Sequence, residues 1–367
     1  MEIAVLGGGH GAFAPVAELA EKGHAVRWWR REASRHAAVQ RAGGLTLTDF
    51  RGTRRITNFS LGSDLREAVR DAELVVIPLP AMAHDSLARD LAGVLDSGQV
   101  VLLPPGTFGT FVFARALLLA RPGVEVTFAE SGTLPYLARK HGETSVVVSA
   151  YATRLPTGVL PLRNGTAAFS VLTRAYPCVE SCGDALSAAL MNAGPIIHPP
   201  LIVMNAGPLE HFPAWDIHNE GTQPAIRRVT DALDRERVTL RQKLGYCVPH
   251  FPLKDHYSQS GDEWMYGRSG HERLTESGDW REHIELLTHR YMVEDVAFGL
   301  SFLTSVAAWA RSPMPLAAGL LAVGSAVVGR DLYAEGRTLE NLGLAGMSRA
   351  EMTQMLAEGV HTSVSRG

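Results

Sequence analysis

The first residues of this chain that are suited to chemistry form a glycine-rich turn, Gly7-Gly8-Gly9-His10-Gly11-Ala12. The turn follows a short apolar run, Met1–Leu6, and precedes a predicted helix over Phe13–Lys22 and a second predicted strand over His24–Arg30. Strand, glycine-rich turn, helix and strand in this order are typical of a βαβ unit that binds a dinucleotide. This order makes the motif more informative than a glycine-rich turn alone.

The small residues of this turn have distinct predicted roles around a pyrophosphate. Gly7 can form the tight turn after the strand, and Gly9 lets the backbone approach the phosphates. Ala12 is small enough for the helix to pack closely on the strand. The N–H groups at the helix start, near His10 and Gly11, then face the negative charge of the phosphates. These five residues are the predicted cofactor-binding residues of the turn.

The end of the second predicted strand, Trp29-Arg30-Arg31-Glu32, indicates which dinucleotide is bound. Proteins that bind NAD usually place Asp or Glu here, where it accepts hydrogen bonds from the ribose 2′-OH. The two guanidinium groups of Arg30 and Arg31 suit a 2′-phosphate, which they can bind in a bidentate way. NADP(H) is therefore favoured, and NAD(H), with Glu32 as the ribose ligand, is the alternative.

Two later segments carry ionisable residues in apolar surroundings. The first, 192–211, contains His198, and the second, 289–300, places Tyr291 and Asp295 on about one helix face. A helix that is mostly apolar seldom exposes to solvent the face that carries its few ionisable residues. Asp295 is therefore expected to point into a cleft and pair with a histidine of another helix. Hydride transfer needs such a proton donor or acceptor beside the reacting carbonyl or imine.

The composition excludes several classes of protein. A chain of 367 residues suggests two domains or one large domain, and 46% hydrophobic with 20% charged residues suits a soluble globular protein. A net charge of −3 gives no electrostatic case for nucleic acid or an anionic membrane. An odd, low number of cysteines, three, argues for a reducing compartment, and no signal peptide is visible. We therefore predict a cytoplasmic protein with small-molecule substrates.

Neither a membrane span nor a metal site is predicted. The longest apolar run, Met314–Val328, is too short and too rich in Gly and Ala to span a bilayer, so we predict a core helix or a subunit contact and hence a homodimer. Cys178 and Cys182 are four residues apart and lack a second ligand pair at zinc spacing. The other candidate ligands also lack compact spacing: His250, His256 and His271.

The order of predicted elements suggests two domains. Strands and helices alternate in the first half, and continuous apolar runs such as Glu73–Leu79 are typical of buried parallel strands. The second half shows helical periodicity, as in Gln223–Lys243. We predict an α/β Rossmann domain with a doubly wound, mostly parallel sheet over 1–175. An all-α domain over 176–367 would carry the substrate site, and the two would meet over a cleft.

Shorter segments give more local predictions. Gly43–Phe59 is predicted to form a hairpin or pair of strands around Arg51-Gly52, and Asp64–Asp71 a short helix with an Asp N-cap. Ala168–Leu172 is predicted to be a strand. Pro249–Gly278 is rich in His, Gly, Ser and Tyr, which predicts a long irregular insertion of the kind that forms a lid or partner contact.

The motifs together resemble the octopine/nopaline (opine) dehydrogenase family and, more distantly, ketopantoate reductases and glycerol-3-phosphate dehydrogenases. They cover nearly the whole chain in order: Gly7–Ala12, Pro80–His84, Pro105–Gly109, Glu130–Tyr136, His198-Pro199, Arg290-Tyr291 with Glu294-Asp295-Val296, and Gly336–Glu340. The resemblance implies a Rossmann domain with a helical opine-dehydrogenase domain. It also implies NAD(P)H-dependent reductive condensation of an α-keto acid with the amino group of an amino acid or amine, by hydride transfer to an imine, and the reverse oxidation.

The resemblance also implies catalytic roles. His198 matches the catalytic acid/base of the family, and Asp295 matches the carboxylate that orients it, which would fix the ring tautomer and raise the pKa of His198. Glu294 is the alternative partner of His198, or an ion-pair partner of Arg290 at helical spacing. His211 is the alternative acid/base.

The predicted ligands of the substrate and cofactor follow from the same motifs. Arg290 matches an arginine that binds a substrate carboxylate, and Thr133 lies in the substrate-facing threonine segment of the family. Asn205, in the same segment as His198, is also predicted to bind substrate. Pro80 and Ala81 are predicted to contact the cofactor.

One departure from the family and two alternative functions complete the predictions. The family commonly has Pro after Glu-Asp-Val, where this chain has Ala297. One alternative is an NADP-dependent 2-keto acid reductase of the ketopantoate type. The lysine acid of that enzyme is replaced here by a histidine, which disfavours it. The other is a non-catalytic NADP(H)-binding protein of the same fold, against which the presence of His198 and Asp295 argues.

Overall fold

The N-terminal apolar run and the glycine-rich turn form the predicted βαβ unit. Strand β1 (Glu2–Leu6) leads through the turn into helix α1 (His10–Glu21), and β2 (Ala25–Trp29) pairs with β1 in parallel. This computed structural model describes residues 1–257, 261–267, 272 and 280–361. The chain divides into two units, of which the first contains Met1–Leu79, Ala83–Ala189 and residues from Thr353 onward.

The first unit is built on an eight-stranded sheet. Its strand order is β12-β11-β8-β7-β6-β1-β2-β5, and in the described residues every neighbouring pair is parallel except β8 and β11. The remaining strands are β3 (Leu45–Asp49), β4 (Gly52–Ile56), β5 (Phe59–Gly62), β6 (Leu74–Val76), β7 (Val100–Leu103), β8 (Thr127–Ser131), β9 (Tyr136–His141), β10 (Ser145–Tyr151), β11 (Leu155–Leu160) and β12 (Val179–Asp184). The helices after α1 are α2 (Ala37–Ala42), α3 (Leu65–Val69), α4 (His84–Ala92), α5 (Gly109–Ala120), α6 (Gly165–Ala175) and α7 (Ala185–Ala189).

Several local predictions for this unit are confirmed. The hairpin around Arg51-Gly52 is formed by β3 and β4, which belong to a second, four-stranded sheet in the order β4-β3-β10-β9. Asp64 caps α3, because its side chain accepts a hydrogen bond from the Glu67 N–H at 3.1 Å. The buried runs in β6 and β7 are fully apolar, as expected of central parallel strands.

Two predictions for the middle of the chain are wrong. Ala168–Leu172 lies in helix α6, not in a strand, and the buried residues Gly165, Ala168, Leu172 and Ala175 recur at helical spacing. The division between the units follows Ala189 rather than residue 175, because β12 pairs with β11 and extends the large sheet. Residues beyond 176 therefore include strands, and the second part of the chain is not purely helical.

The second unit contains Pro80–Met82 and Leu190–Met352. It is mainly helical, with one short antiparallel pair of strands. Its elements are α8 (Gly194–Met204), α9 (Ala206–His211), β13 (Trp215–Asp216), α10 (Pro224–Lys243), β14 (Arg281–Glu282), α11 (Tyr291–Leu300), α12 (Ser301–Ala310), α13 (Pro315–Val328), α14 (Leu332–Glu335) and α15 (Arg349–Glu358), whose last residues belong to the first unit. Helix α11 has π-helical hydrogen bonding and contacts α8, α12, α13 and α14.

The predicted insertion at Pro249–Gly278 lies partly outside the described residues. Its described part includes a 3₁₀ turn at Leu253–Tyr257. His271 lies outside the described residues. Among the residues that are described, no group of three or more His, Cys, Asp or Glu side chains could hold a metal ion.

Among the residues that the structure describes, two helical stretches are long and apolar enough to cross a membrane. They are Ala185–Met204 and Tyr291–Ala310, and 78% and 67% of their residues are buried inside the protein. Such burial is typical of core helices in a folded protein. The run at Met314–Val328 forms α13, with Ala317, Leu320 and Gly324 buried.

Candidate active site

The structure brings His198 and Asp295 together in the second unit. His198 lies on α8 and Asp295 on α11, and the imidazole Nδ1 is 2.8 Å from Asp295 Oδ2. Both side chains are largely buried, with 16% and 9% of their surfaces exposed. Within the described part of the chain, the other imidazole nitrogen, Nε2, forms no hydrogen bond. A carboxylate that accepts from Nδ1–H leaves Nε2 available for proton transfer.

Glycines allow α8 and α11 to approach this closely. A Cβ atom on Gly194 would overlap Asp295 Oδ1, and a Cβ atom on Gly299 would overlap the ring of Pro195. Larger residues at these positions would have to displace the facing side chains. The π-helical hydrogen bonding of α11 is a second local irregularity, and such segments are frequent at functional sites.

Aromatic side chains hold the imidazole of His198 from one face. The Tyr291 ring stacks on it, with ring centroids 3.7 Å apart and planes 9° apart. The Tyr291 hydroxyl is 2.7 Å from Nε2 of His218, which is buried and packs edge-on against Trp280. His218 and Trp280 have no signal in the sequence. They lie beside β13 and β14, and only the pairing of these two strands places them together.

The glycine-rich turn lies in the first unit, between β1 and α1. Gly7 has a φ of +128°, which favours glycine, and its carbonyl accepts a hydrogen bond from Trp28 Nε1 at 2.7 Å. Gly9 is the N-cap residue of α1, and no described heavy atom lies within 4 Å of a Cβ atom built on it. The turn therefore leaves open space beside the N–H groups that begin α1, as anion binding requires.

The next residues of the turn are exposed or tightly packed. His10 is exposed, and its Nδ1 accepts a hydrogen bond from the Lys140 N–H at 3.3 Å. A Cβ atom on Gly11 would lie 3.2 Å from the Pro78 side chain. Ala12 is fully buried. The burial of Ala12 and the tight packing at Gly11 agree with the close packing of α1 on the sheet.

Arg30 is a buried cation at the end of β2. Only 4% of it is exposed, its guanidinium lies 4.2 Å from the centroid of the Trp28 ring, and Nη1 donates to the Arg35 carbonyl. Nε and Nη2 have no hydrogen-bond partner in the described residues. Arg30 borders a cavity of about 400 Å³, together with Gly7 and the exposed Arg31. Buried donors without partners are costly, so this cavity fits a bound anion.

Comparison with known proteins shows what this chain is similar to. Residues 181–328 match the family described as NAD/NADP octopine/nopaline dehydrogenase, alpha-helical domain. An opine dehydrogenase from Arthrobacter sp. (strain 1C) is 29% identical over 95% of this chain and 96% of the relative. The chain is therefore similar to opine dehydrogenases over nearly its whole length. It is an NAD(P)-dependent oxidoreductase of the opine dehydrogenase type.

The remaining comparisons agree with this family. Residues 2–126 match the NAD-dependent glycerol-3-phosphate dehydrogenase N-terminus. A structure of octopine dehydrogenase in complex with NADH and agmatine has a TM-score of 0.71 at 18% identity and covers 98% of both chains. An NADP+-bound yersinopine dehydrogenase has a TM-score of 0.63 at 16% identity, also over 98% of both chains. These structures confirm the predicted fold class, a Rossmann domain followed by a helical domain.

The electrostatics of the histidine–aspartate pair in this chain differ from the expectation. Burial lowers the pKa of His198 well below its ordinary value, and the positive charge of Arg290 acts in the same direction. Burial raises the pKa of Asp295 to about 7, although Arg290 opposes this. The expected rise of the His198 pKa beside a carboxylate is therefore wrong, because desolvation of the imidazolium outweighs it. The isolated pair holds a neutral imidazole at neutral pH.

Arg290 and Glu294 are not paired with each other within the described residues. The guanidinium of Arg290 is exposed and lies 5.1 Å from the centroid of the Tyr291 ring, with no carboxylate within ion-pair distance among those residues. Oε1 of Glu294 accepts a hydrogen bond from the Ala81 N–H at 3.2 Å. Asp295, not Glu294, is thus the partner of His198, and Arg290 is available to bind an anion.

Both backbone polar groups of Ala81 are bound within the second unit. Its N–H donates to Glu294, and its carbonyl accepts from Arg337 Nη2 at 3.0 Å. Ala81 is buried and Pro80 half-buried. The Ala81 N–H is therefore already engaged within the protein and does not need a cofactor as its acceptor. Neither Glu294 nor Arg337 was predicted to hold this segment, because their contacts join parts of the chain that are far apart in sequence.

Asn205 has a structural role instead of the predicted contact with substrate. It is buried, Nδ2 donates to the Leu201 and Gly221 carbonyls at 2.9 and 3.1 Å, and Oδ1 accepts from Trp215 Nε1 at 3.1 Å. With both ends of the amide engaged, the side chain holds the segment around Trp215 in place. The predicted role of Asn205 in substrate binding is not supported.

The two other predicted residues lie in exposed or half-exposed positions. His211 is exposed at the end of α9, packs against Phe212, and has no ion pair within the described residues. Thr133 is half-buried in the loop after β8, where its carbonyl accepts a hydrogen bond from Ser131 Oγ at 2.8 Å. This loop follows the carboxyl end of a strand, where ligands bind in open α/β sheets.

Replacing Gly194 with alanine should reduce turnover through Asp295. The added methyl would displace the Asp295 carboxylate from His198, and a misplacement of about 1 Å in such a site can cost about 100-fold in rate. We expect kcat to fall by between about 10-fold and 100-fold, measured by cofactor oxidation. Gly207→Ala is the matched control, because no described heavy atom lies within 4 Å of its Cβ position. Full activity of Gly194→Ala would show that the close approach is not needed.

Proposed function

We propose that this chain catalyses the NAD(P)H-dependent reductive condensation of an α-keto acid with the amino group of an amino acid or amine, and the reverse oxidation. The observation that supports this most strongly is the buried His198–Asp295 pair, with Nε2 of His198 available, in the helical domain of a family of opine dehydrogenases. The Arthrobacter relative is itself named an opine dehydrogenase.

His198 and Asp295 would move the proton that accompanies reduction. When bound, NAD(P)H supplies the hydride for the imine carbon. Asp295 accepts a hydrogen bond from the Nδ1–H group and fixes the ring, so that proton exchange takes place at Nε2. The neutral imidazole is the base required for oxidation of the product. In the direction of reduction, the pair would carry one more proton and donate a proton from Nε2 as the acid.

Arg290 and Thr133 are the proposed ligands of the substrate. Arg290 presents an exposed guanidinium next to Tyr291, whose ring stacks on His198. Its planar fork can bind a carboxylate through two hydrogen bonds. Thr133, at the carboxyl end of β8, would contribute a hydroxyl. Both roles rest on the family resemblance and on these positions.

The cofactor proposed is NADP(H), with NAD(H) as the alternative. The pyrophosphate would lie against Gly7, Gly9, His10, Gly11 and Ala12, where the N–H groups of α1 begin. Arg30 and Arg31 would bind the 2′-phosphate. The support for this is that Arg30 is buried with two N–H groups lacking partners, which a phosphate would satisfy.

The proposed reaction is tested by following NADPH and NADH oxidation with a matrix of α-keto acids, each with and without a panel of amino acids and amines. We expect turnover only when both a keto acid and an amine are present. The productive pair would identify both substrates. Turnover with a keto acid alone, unchanged by any amine, would contradict reductive condensation and place the protein among the simple 2-keto acid reductases.

A further inference from the structure

The cavity beside Arg30 also contains a carboxylate, Glu143. Glu143 lies in the short turn between β9 and β10, where Gly142 adopts a φ of +63°. Its Oε2 is 3.7 Å from Nη1 of Arg30, and its Oε1 accepts a hydrogen bond from Nζ of Lys140 at 2.9 Å. Arg30, Lys140 and Glu143 all line the same cavity. One carboxylate is thus shared by two cations at the proposed 2′-phosphate site.

The cations that line this cavity outnumber its carboxylates, so the carboxylates offset only part of the positive charge. Its cations are Arg30, Arg31, Arg35 and Lys140, and its carboxylates are Glu32 and Glu143. Glu32 is 3.4 Å from Nε of Arg35, so the two carboxylates have different partners. Lys140 lowers the pKa of Glu143 through their hydrogen bond, which keeps Glu143 ionised at neutral pH. A phosphate that binds Nε and Nη2 of Arg30 therefore comes close to the negative charge of Glu143, which faces Nη1 of the same guanidinium.

We propose that Glu143 is a specificity-determining residue whose carboxylate competes with the 2′-phosphate of NADP(H) for Arg30 and Lys140. The inference rests on the proposed binding of the 2′-phosphate by Arg30. A phosphate monoester carries about −1.5 to −2 charges near pH 7, so it displaces a single carboxylate, but at a cost in affinity. NADH lacks this group and leaves the pair intact. Glu143 therefore reduces the preference for NADP(H) over NAD(H).

The geometry allows this exchange without rearrangement of the fold. Half of the Glu143 side chain is exposed, whereas Arg30 is held under Gly8 and over the Trp28 ring. A Cβ atom on Gly8 would lie 3.1 Å from Nε of Arg30, so the guanidinium has little room to move. Glu143, on a surface turn, can rotate towards solvent while Arg30 stays in place. The mobile partner is thus the carboxylate and the fixed partner is the cation.

The proposal is tested by direct binding to the full-length Glu143→Gln variant. Titration calorimetry would measure the Kd of NADPH, NADH, adenosine 2′,5′-bisphosphate and 5′-AMP. We expect NADPH and the bisphosphate to bind the variant about 3-fold to 10-fold more tightly than the wild type. This effect is at or above the energy of a partly exposed charge pair. The Kd values of NADH and 5′-AMP should change less than about 2-fold. Glu67→Gln is the matched control, because it removes the same charge from the same unit at a surface pair with Arg70.

The Arg30→Ala variant separates failure of this proposal from failure of the proposed cofactor preference. If Arg30→Ala weakens NADPH far more than NADH while Glu143→Gln behaves like Glu67→Gln, the 2′-phosphate site stands and the role of Glu143 is overturned. If Arg30→Ala weakens both cofactors equally, the cofactor preference fails, and the proposal for Glu143 fails with it. A loss of NADH affinity in Glu143→Gln would instead make Glu143 a ribose ligand and also overturn the proposal.

Discussion

Replacing His198 with alanine is expected to abolish turnover in both directions while leaving the affinity for NADPH unchanged. Alanine carries no group that can exchange a proton at the position of Nε2, and a positioned acid/base contributes about 100-fold to 10,000-fold to the rate. We expect kcat to fall by about 1,000-fold. The turn and the arginines proposed to bind NADPH belong to the first unit, so cofactor binding should survive. Stopped-flow oxidation and a fluorescence titration of NADPH measure the two quantities.

Two further variants make this prediction decisive. His198→Asn preserves much of the side-chain volume and its polarity, so a comparable loss of kcat would exclude collapse of the buried site as the cause. His211→Ala removes the alternative acid/base, which is exposed at the end of α9, and should leave kcat unchanged. A His198→Ala enzyme that keeps more than about a tenth of its turnover would contradict the assignment of His198 as the acid/base. A large loss of turnover in His211→Ala would instead indicate that His211 has this role.

The parts of the fold that the sequence predicts well are those specified by neighbouring residues. The βαβ unit, the β3–β4 hairpin and the Asp64 cap depend on glycine turns, apolar runs and a capping side chain within a few residues of one another. The error at Ala168–Leu172 has a local cause as well. A five-residue apolar window does not distinguish a strand from one face of a helix, whereas the whole of Gly165–Ala175 shows the helical period.

In the candidate site, too, the sequence predicts some residues and misses those whose contacts are distant in sequence. Asp295 was expected to point inward because a charged residue on an apolar helix needs a partner, and the resemblance to the family supplied His198 as that partner. His218, which holds Tyr291, and Glu143, which faces Arg30, make contacts with residues far away in the sequence, and no local pattern predicts such contacts. Asn205 shows the converse case: this polar residue lies in the same segment as His198, but its hydrogen bonds are made to the fold itself.

Replacing Asp295 with asparagine is expected to harm reduction far more than oxidation. In the wild type, burial raises the pKa of Asp295 to about 7, so the His198–Asp295 pair gains a proton as the pH falls through 7 and loses it as the pH rises. The protonated pair is the acid for reduction, and the deprotonated pair is the base for oxidation. Asparagine cannot take up this proton, and burial keeps the pKa of His198 low, so the variant lacks the protonated pair that serves as the acid.

The measurement is kcat/KM in both directions between about pH 5 and pH 9. In the wild type, kcat/KM for reduction should fall as the pH rises, and kcat/KM for oxidation should increase. Both changes should have a midpoint near pH 7, the pKa of Asp295. In Asp295→Asn we expect reduction to fall by about 1,000-fold, oxidation by about 10-fold, and the midpoint to disappear, because the remaining imidazole is neutral across this range.

Glu294→Gln is the control that assigns this midpoint. Burial and the neighbouring Asp295 charge raise the pKa of Glu294 to about 7 as well, and its carboxylate binds the Ala81 N–H rather than His198. If the midpoint belongs to the histidine–aspartate pair, Glu294→Gln retains it and Asp295→Asn loses it. The opposite result would mean that protonation of Glu294, acting through the Pro80–Met82 segment, controls the rate. In that case Asp295 would only orient the ring of His198.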